Sequence, residues 1–277
     1  MSSLTRVNTN VGALNALNAL NSINTELSKH QLRMATGKQI NSAADDAAGW
    51  VIGKGMEARA GGLTQAVANV GDAQSMLGVA EGGLQNILDV LITMKQKVTQ
   101  AANDTLGTNE RAAIKSQLDD LASEIDSVVS QSTYNGQQLI DGSFKNKTLQ
   151  IGSETTDTMT VSVSQKHTAA SLAVSTSDLT VSSASSASTS LASVNAAIDK
   201  VNSSIRTVGS LSARLQVKSQ ALSQILTNTQ AAQSQIMDAD LAAEQLAAVK
   251  LQILQQTATA ALSQANTAPQ AVLQLFK

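Results

Sequence analysis

The feature that most constrains this chain is an unbroken heptad in its first half. Leu63, Val70, Leu77, Leu84, Leu91 and Val98 form one row, and Ala66, Ala73, Ala80, Ile87, Met94 and Ala101 form a second row three positions on. An apolar repeat of seven sustained this long specifies a helix packed on other helices with left-handed supercoiling, about 58 Å of rod at ~1.5 Å per residue. The alanines of the second row let partner helices approach closely. A globular enzyme core is the wrong shape for such a seam, and the composition agrees: aromatic residues are 1% and charged residues 14% of the chain, well below ordinary enzyme usage.

Two further seams follow. Ile114, Leu118, Leu121, Ile125 and Val128 keep 4-3-4-3 spacing, and the Leu106–Glu110 turn with Gly107 can fold that helix back on the first. Late in the chain Val194, Val201, Val208, Leu215 and Leu222 repeat at seven, resuming at Ile236 after the polar Thr229, with Ile198 and Ile205 beginning a second row. Three long seams predict a helical bundle. Between them the period becomes two: Tyr134-Asn135-Gly136 signals a turn, Thr148–Ile151 is β-prone, and Thr158–Ser164 alternates as a half-buried strand. A small β-hairpin appendage is expected there. Ser171–Ser190 holds 12 Ser/Thr in 20 residues and reads as an exposed loop without a core of its own, removable without cost.

Both ends are amphipathic and almost uncharged. Leu4, Val7, Val11, Leu14, Leu17, Leu20, Ile23 and Leu27 make one stripe, with Arg6 the only charge before Glu26; Leu246, Val249, Ile253, Leu254, Leu262, Val272, Leu273 and Leu275 make the other, with Lys250 and Lys277 the only charges after Glu244. Side chains this few cannot offset the entropy of ordering each end alone. The ends are therefore expected to become helical against each other and against neighbouring copies of the chain.

The sequence also excludes several function classes. Net charge is −2 with no aromatic-interleaved basic cluster, so no nucleic-acid partner is expected. No apolar run approaches membrane-spanning length, and Met1–Asn10 lacks the basic start and apolar stretch of a signal peptide. There is no Cys; His30 and His167 are the only histidines and neither sits in a metal motif; Gly53-Lys-Gly55 lacks phosphate-loop spacing. No catalytic, metal or cofactor site is expected. Ser42-Ala-Ala-Asp45 has capping-box form, with Ser42 set to accept a backbone N–H and Asp45 to return the bond, which is a better reading of Asp45/Asp46 than a catalytic carboxylate pair.

Met34-Ala-Thr-Gly-Lys-Gln-Ile-Asn-Ser-Ala-Ala-Asp-Asp-Ala-Ala-Gly49 resembles the amino-terminal signature of bacterial flagellins. Val7–Asn10, Asp72–Leu77, Ala80–Gly82, Gln100–Asn103, Tyr134–Gly136, and later Asp238–Asp240, Gln252–Gln256, Gln264–Asn266 and Pro269–Leu273 agree with the family in order, over about residues 1–145 and 190–277. The resemblance implies a mainly α, folded-back chain with paired termini: an inner coiled coil of 1–35 with 244–277, a linker of 36–48 with 237–243, an outer bundle of 49–145 with 190–236, and a short variable region, 146–189. It implies no enzyme but a self-polymerising filament subunit, extracellular, exported unfolded without a cleavable signal peptide. Implied partners are other copies of itself, the flagellar export apparatus, an export chaperone at the C-terminal region, the filament cap and hook–filament junction proteins. A junction protein or a flagellin-like surface adhesin would share much of this pattern. Two departures stand out: Gln39 replaces a frequent Arg, and Thr93, Lys97 and Gln117 replace residues of the segment that the vertebrate innate-immune flagellin receptor recognises, so weak receptor activation is expected.

Overall fold

A computed structural model describes residues 9–274, with side chains described to residue 267. Six helices and two short hairpins follow the chain in order: α1 (Val11–Thr36), α2 (Ala47–Ala101), α3 (Thr108–Gln131), β1 (Thr133–Tyr134), β2 (Gln137–Gln138), β3 (Lys147–Gln150), β4 (Thr158–Val161), α4 (Ala169–Leu172), α5 (Ala184–Met237) and α6 (Leu241–Gln274). No helix among the described residues is long and apolar enough to cross a membrane. The chain divides into two compact units, one of residues 1–58 with 228–277 and one of residues 59–227; α2 and α5 contribute residues to both.

In the unit of residues 59–227 the heptad rows are the core. Leu63, Val70, Leu77, Leu84, Leu91 and Val98 are buried together with Ile114, Leu118, Ile125, Val201, Val208, Leu215 and Leu222. Leu121 is only partly buried, and Ala122 and Val129 lie on the buried line of α3 in its place. On α5 the same shift occurs: Ile198 and Ile205 are partly buried, while Ala197 and Ser204 are inside.

The first hairpin turns at Asn135 (φ 49°) and Gly136 (φ 74°), the two consecutive left-handed residues of a tight hairpin turn. The second pairs β3 and β4 antiparallel, with Lys147 opposite Val161 and Gln150 opposite Thr158. Met159, Val161 and Val163 alternate into the core while Thr158 and Thr160 face out, the period-two pattern read as a half-buried strand.

The Ser/Thr-rich stretch differs from its expectation. Leu172, Val174, Leu179, Val181 and Ala187 are all buried, and α5 begins at Ala184, inside the segment expected to be loop. Ser190 Oγ, itself buried, accepts from Thr180 N at 2.9 Å and donates to Thr180 O at 2.8 Å. Five well-spaced apolar residues are enough when the surface they cover is already supplied by the bundle. Composition averaged over the segment hid them.

Candidate assembly surface

In the other unit α1 and α6 pack against each other, antiparallel. Asn10 caps α1 through Oδ1, which accepts from Ala13 N at 3.0 Å, while its Nδ2 donates to Ala265 O at 2.8 Å. Further along, Gln255 Nε2 donates to Asn24 Oδ1 at 2.7 Å. At the far end His30 Nδ1 contacts Glu244 Oε2, and Arg33 Nη1 lies 3.4 Å from Glu244 Oε1. Glu244 is buried, and two cationic-capable groups share it. The pair is thus held in register by four polar contacts rather than by a wide core.

Its apolar stripes are only half used. Leu27 and Ala248 are buried, and Leu20, Ile23 and Leu262 are half-buried. Val11, Leu14, Leu17, Val249 and Leu254 are exposed, as are Ile253 at 59% and Leu246 at 74%. Leu4, Val7 and Leu275 lie outside the described residues, as do the side chains of Val272 and Leu273. This many exposed large apolar side chains on one helix pair is unusual for a surface left in solvent.

The link between α1 and α2 has its own small core. Gly37 ends α1 at φ 69°, donating to Arg33 O at 2.8 Å, and Lys38 and Asp238 form a β-bridge flanked by Gln39 N to Met237 O (2.7 Å) and Ala239 N to Gly37 O (2.9 Å). Ile40 and Met237 are buried beside Gly49 and Gly53, one turn apart on α2. The capping assignment is corrected here. Asp45 does return the bond to Ser42 N, at 3.1 Å, but the Ser42 hydroxyl contacts that same carboxylate, and it is Asp46 Oδ1 that receives Ala48 N and Gly49 N at the start of α2, both at 3.0 Å.

Two buried polar residues escaped the sequence reading. Arg111 Nη1 donates to Ala101 O (2.7 Å), Nη2 to Asn103 O (2.9 Å) and Nε to Leu106 O (3.3 Å), so one side chain satisfies carbonyls left over at the end of α2 and through the following turn. A visible signal existed: a cation in the first turn of a helix opposes the dipole and asks for a reason. His167, fully buried, places Nδ1 3.1 Å from Ile140 O and Nε2 2.8 Å from Ser204 Oγ. Burial holds its imidazole below the usual histidine range, against the opposing pull of the Ile140 and Gln165 backbone contacts. It is a core hydrogen-bonding residue. Among the described residues no group of three or more His, Cys, Asp or Glu could hold a metal.

Thr93 and Gln117 are exposed and Lys97 is half-buried; Thr93 Oγ1 bonds back to Asp89 O at 3.0 Å.

Comparison with known proteins matches residues 7–145 to the bacterial flagellin N-terminal helical region and residues 191–276 to the bacterial flagellin C-terminal helical region. The chain is 33% identical to a flagellin of Bacillus subtilis, covering 98% of this chain and 100% of that one, and 30% identical to a flagellin of Halalkalibacterium halodurans, covering 98% and 99%. Against flagellin A of Helicobacter felis it is 35% identical over 57% of its own length, and the match spans only 31% of that longer protein. The crystal structure of Bacillus cereus flagellin superposes with TM-score 0.50 at 28% identity over 56% of this chain and 88% of that one. A Vibrio parahaemolyticus protein described as a putative flagellar hook-associated protein gives TM-score 0.60 at 16% identity, over 70% of this chain and all of the other, a likeness of fold alone.

Proposed function

The chain belongs to the bacterial flagellin family, and from that premise we propose that it is a structural subunit whose paired end helices are its polymerisation surface. The single observation that carries this is the exposed apolar face of α1 and α6, where Leu14, Leu17, Leu246, Val249 and Ile253 stand in solvent on a helix pair too thin to cover them. Burying a leucine-sized side chain against a neighbour is worth about 1.5–3 kcal/mol, and that gain is repeated at every subunit added. Between Val11 and Thr25 of α1 there is no charged residue, and after Glu244 α6 carries only Lys250, so these stretches escape the desolvation penalty that buried ions would impose. The same property suits a chain threaded unfolded through an export apparatus before it assembles outside the cell.

The membership argues for a filament subunit ahead of a junction protein or an adhesin, because the relatives matched over full length are flagellins, whereas the hook-associated neighbour shares only the fold. The test is seeded growth. Depolymerised, neutralised protein mixed with filament fragments should regrow filaments under the electron microscope, and variants lacking residues 1–20 or 252–277 should stay soluble, keep helical circular dichroism, and add nothing to the seeds. Undiminished growth from either truncated chain would refute the assignment of the surface.

A further inference from the structure

The second hairpin has two outer edges, and only one of them is covered. Ile151 N donates to Asp157 O at 2.9 Å, so by the alternation of an antiparallel ladder Leu149 with Met159 and Lys147 with Val161 are the hydrogen-bonded pairs. Thr148 and Gln150 therefore turn their backbone groups away from β4, and Thr158 and Thr160 turn theirs away from β3. On the β3 side α2 is adjacent, and Asn69 Nδ2 donates to Gln150 O at 3.1 Å. On the β4 side the N–H and C=O of Thr160 and the C=O of Thr158 have no hydrogen-bond partner among the described residues. A strand edge left in this way is a template for one more strand.

That free edge opens on a groove of about 840 Å³ whose other wall is α5. Ser210, Ala213, Arg214, Val217 and Lys218 line the helical wall at the three- and four-residue spacings of a single helix face. From Ser210 to Lys218 the helix rises about 12 Å, and four residues of strand span about 13 Å, so the two walls match in length. The helix cannot close on the edge itself, because its own backbone groups are bonded internally. Val217 is 66% exposed, and Arg214 and Lys218 are exposed without an ion pair among the described residues. Glu154 and Asp157 line the adjoining hollow past Thr158, where the Asp157 carboxylate accepts from Glu154 N at 3.3 Å. The net positive charge of the groove thus sits beside β4.

We propose that this groove docks an extended acidic peptide segment of a partner protein, which adds to the hairpin as a third strand beside β4. The backbone of the peptide pairs with the N–H and C=O of Thr160 and the C=O of Thr158. Alternate side chains of the added strand face Ala213 and Val217 and are apolar; those between them lie at the rim and are acidic, because the flexible stems of Arg214 and Lys218 carry their charge outward to meet them. A small anion would answer the two cations and leave the strand edge and Val217 as they are. An uncharged apolar peptide would leave the cations unmatched. An acidic extended chain uses all three features. The groove belongs to the unit of residues 59–227 alone and is separate from the surface of α1 and α6, so the inference goes beyond the filament reading and does not depend on it.

The test uses the full chain as monomer and an end-blocked, dye-labelled hexapeptide of alternating Asp and Val. Fluorescence anisotropy should show saturable binding that weakens as salt is raised. Thr160→Pro removes an outward N–H that the β3–β4 ladder does not use, and R214E/K218E reverses the cations. Each variant, folded by circular dichroism, should weaken binding by roughly tenfold or more. The same peptide methylated on its backbone nitrogens keeps its charge but loses strand pairing, and should bind the wild-type chain roughly tenfold more weakly. That arm requires no variant to fold. A Lys-Val peptide of the same length should not bind. Equal affinity for the methylated peptide, undiminished binding to either folded variant, or no saturable binding to the wild-type chain overturns the docking. Displacement of the peptide by self-association of the chain overturns it as well, because a second copy then fills the groove.

Discussion

Arg111 stands in the first turn of α3, where a cation opposes the helix dipole, yet it is 5% exposed and donates to three carbonyls. Its truncation leaves Ala101 O and Leu106 O without that donor, while Asn103 O keeps only its bond from Leu106 N. Arg111→Met should destabilise the monomer by about 3 kcal/mol, read as a lowered denaturation midpoint, and Arg111→Lys should recover only part because the three donors of an ammonium sit on one nitrogen and cannot span acceptors that three guanidinium nitrogens reach. His167 behaves differently because its neutral form is the one the core accepts. The unfolded chain takes up a proton near pH 6.5 that the folded chain refuses, so the stability contributed by His167 is complete above that pH and is lost as pH falls below it, at up to about 1.4 kcal/mol per pH unit. Urea unfolding of the monomer followed between pH 7.5 and 5.5 should show this slope, and His167→Gln should flatten it while lowering stability at neutral pH.

At the scale of elements, α2 shows how one helix assigns opposite duties to one residue type. A Cβ at Gly53 would lie 2.3 Å from Met237 Sδ, and one at Gly49 2.6 Å from Ile40 Cδ1, whereas Gly78 faces open space. Gly78→Ala should therefore stabilise the monomer by up to about 1 kcal/mol through helix propensity and unfolded-state entropy. Gly53→Ala should lower it by about 1–3 kcal/mol, because the added methyl overlaps the buried Met237 side chain and forces it to shift. Thermal melts of the two variants should shift in opposite directions. The segment of residues 171–190 belongs to this scale too. Read from composition it is a dispensable loop; with Leu172, Val174, Leu179 and Val181 buried, its deletion should uncover the bundle core and cost several kcal/mol, seen as a sharply lowered melting temperature and increased binding of a hydrophobic dye.

The whole molecule combines two surfaces of opposite character. The end helices carry exposed leucines and valines on stretches with almost no charge before Glu26 and after Glu244, while the bundle carries acids on α2 and bases on α5. Apolar contact grows with area and tolerates salt; ionic contact is screened by it and fixes register. A filament held by the end helices should therefore keep its mass as salt is raised, read by sedimentation of regrown filaments.

Much of this was legible from residues alone, because a seven-residue repeat has few ways to bury itself. The heptad rows of α2, α3 and α5, the period-two strand at Thr158–Val161 and the Asn135-Gly136 turn each follow from a local period or a backbone preference. Long-range choices were decided only in three dimensions. Which of Leu121 and Ala122 faces inward depends on where the partner helices lie, and the capping role falls to Asp46 rather than Ser42 because α2 begins only at Ala47. Arg111 and His167 find acceptors that sequence distance conceals, and the Ser/Thr-rich stretch is ordered by a surface built elsewhere in the chain. Local spacing determines which elements form, and tertiary structure determines what each polar or isolated apolar side chain meets, since those partners lie outside its own element.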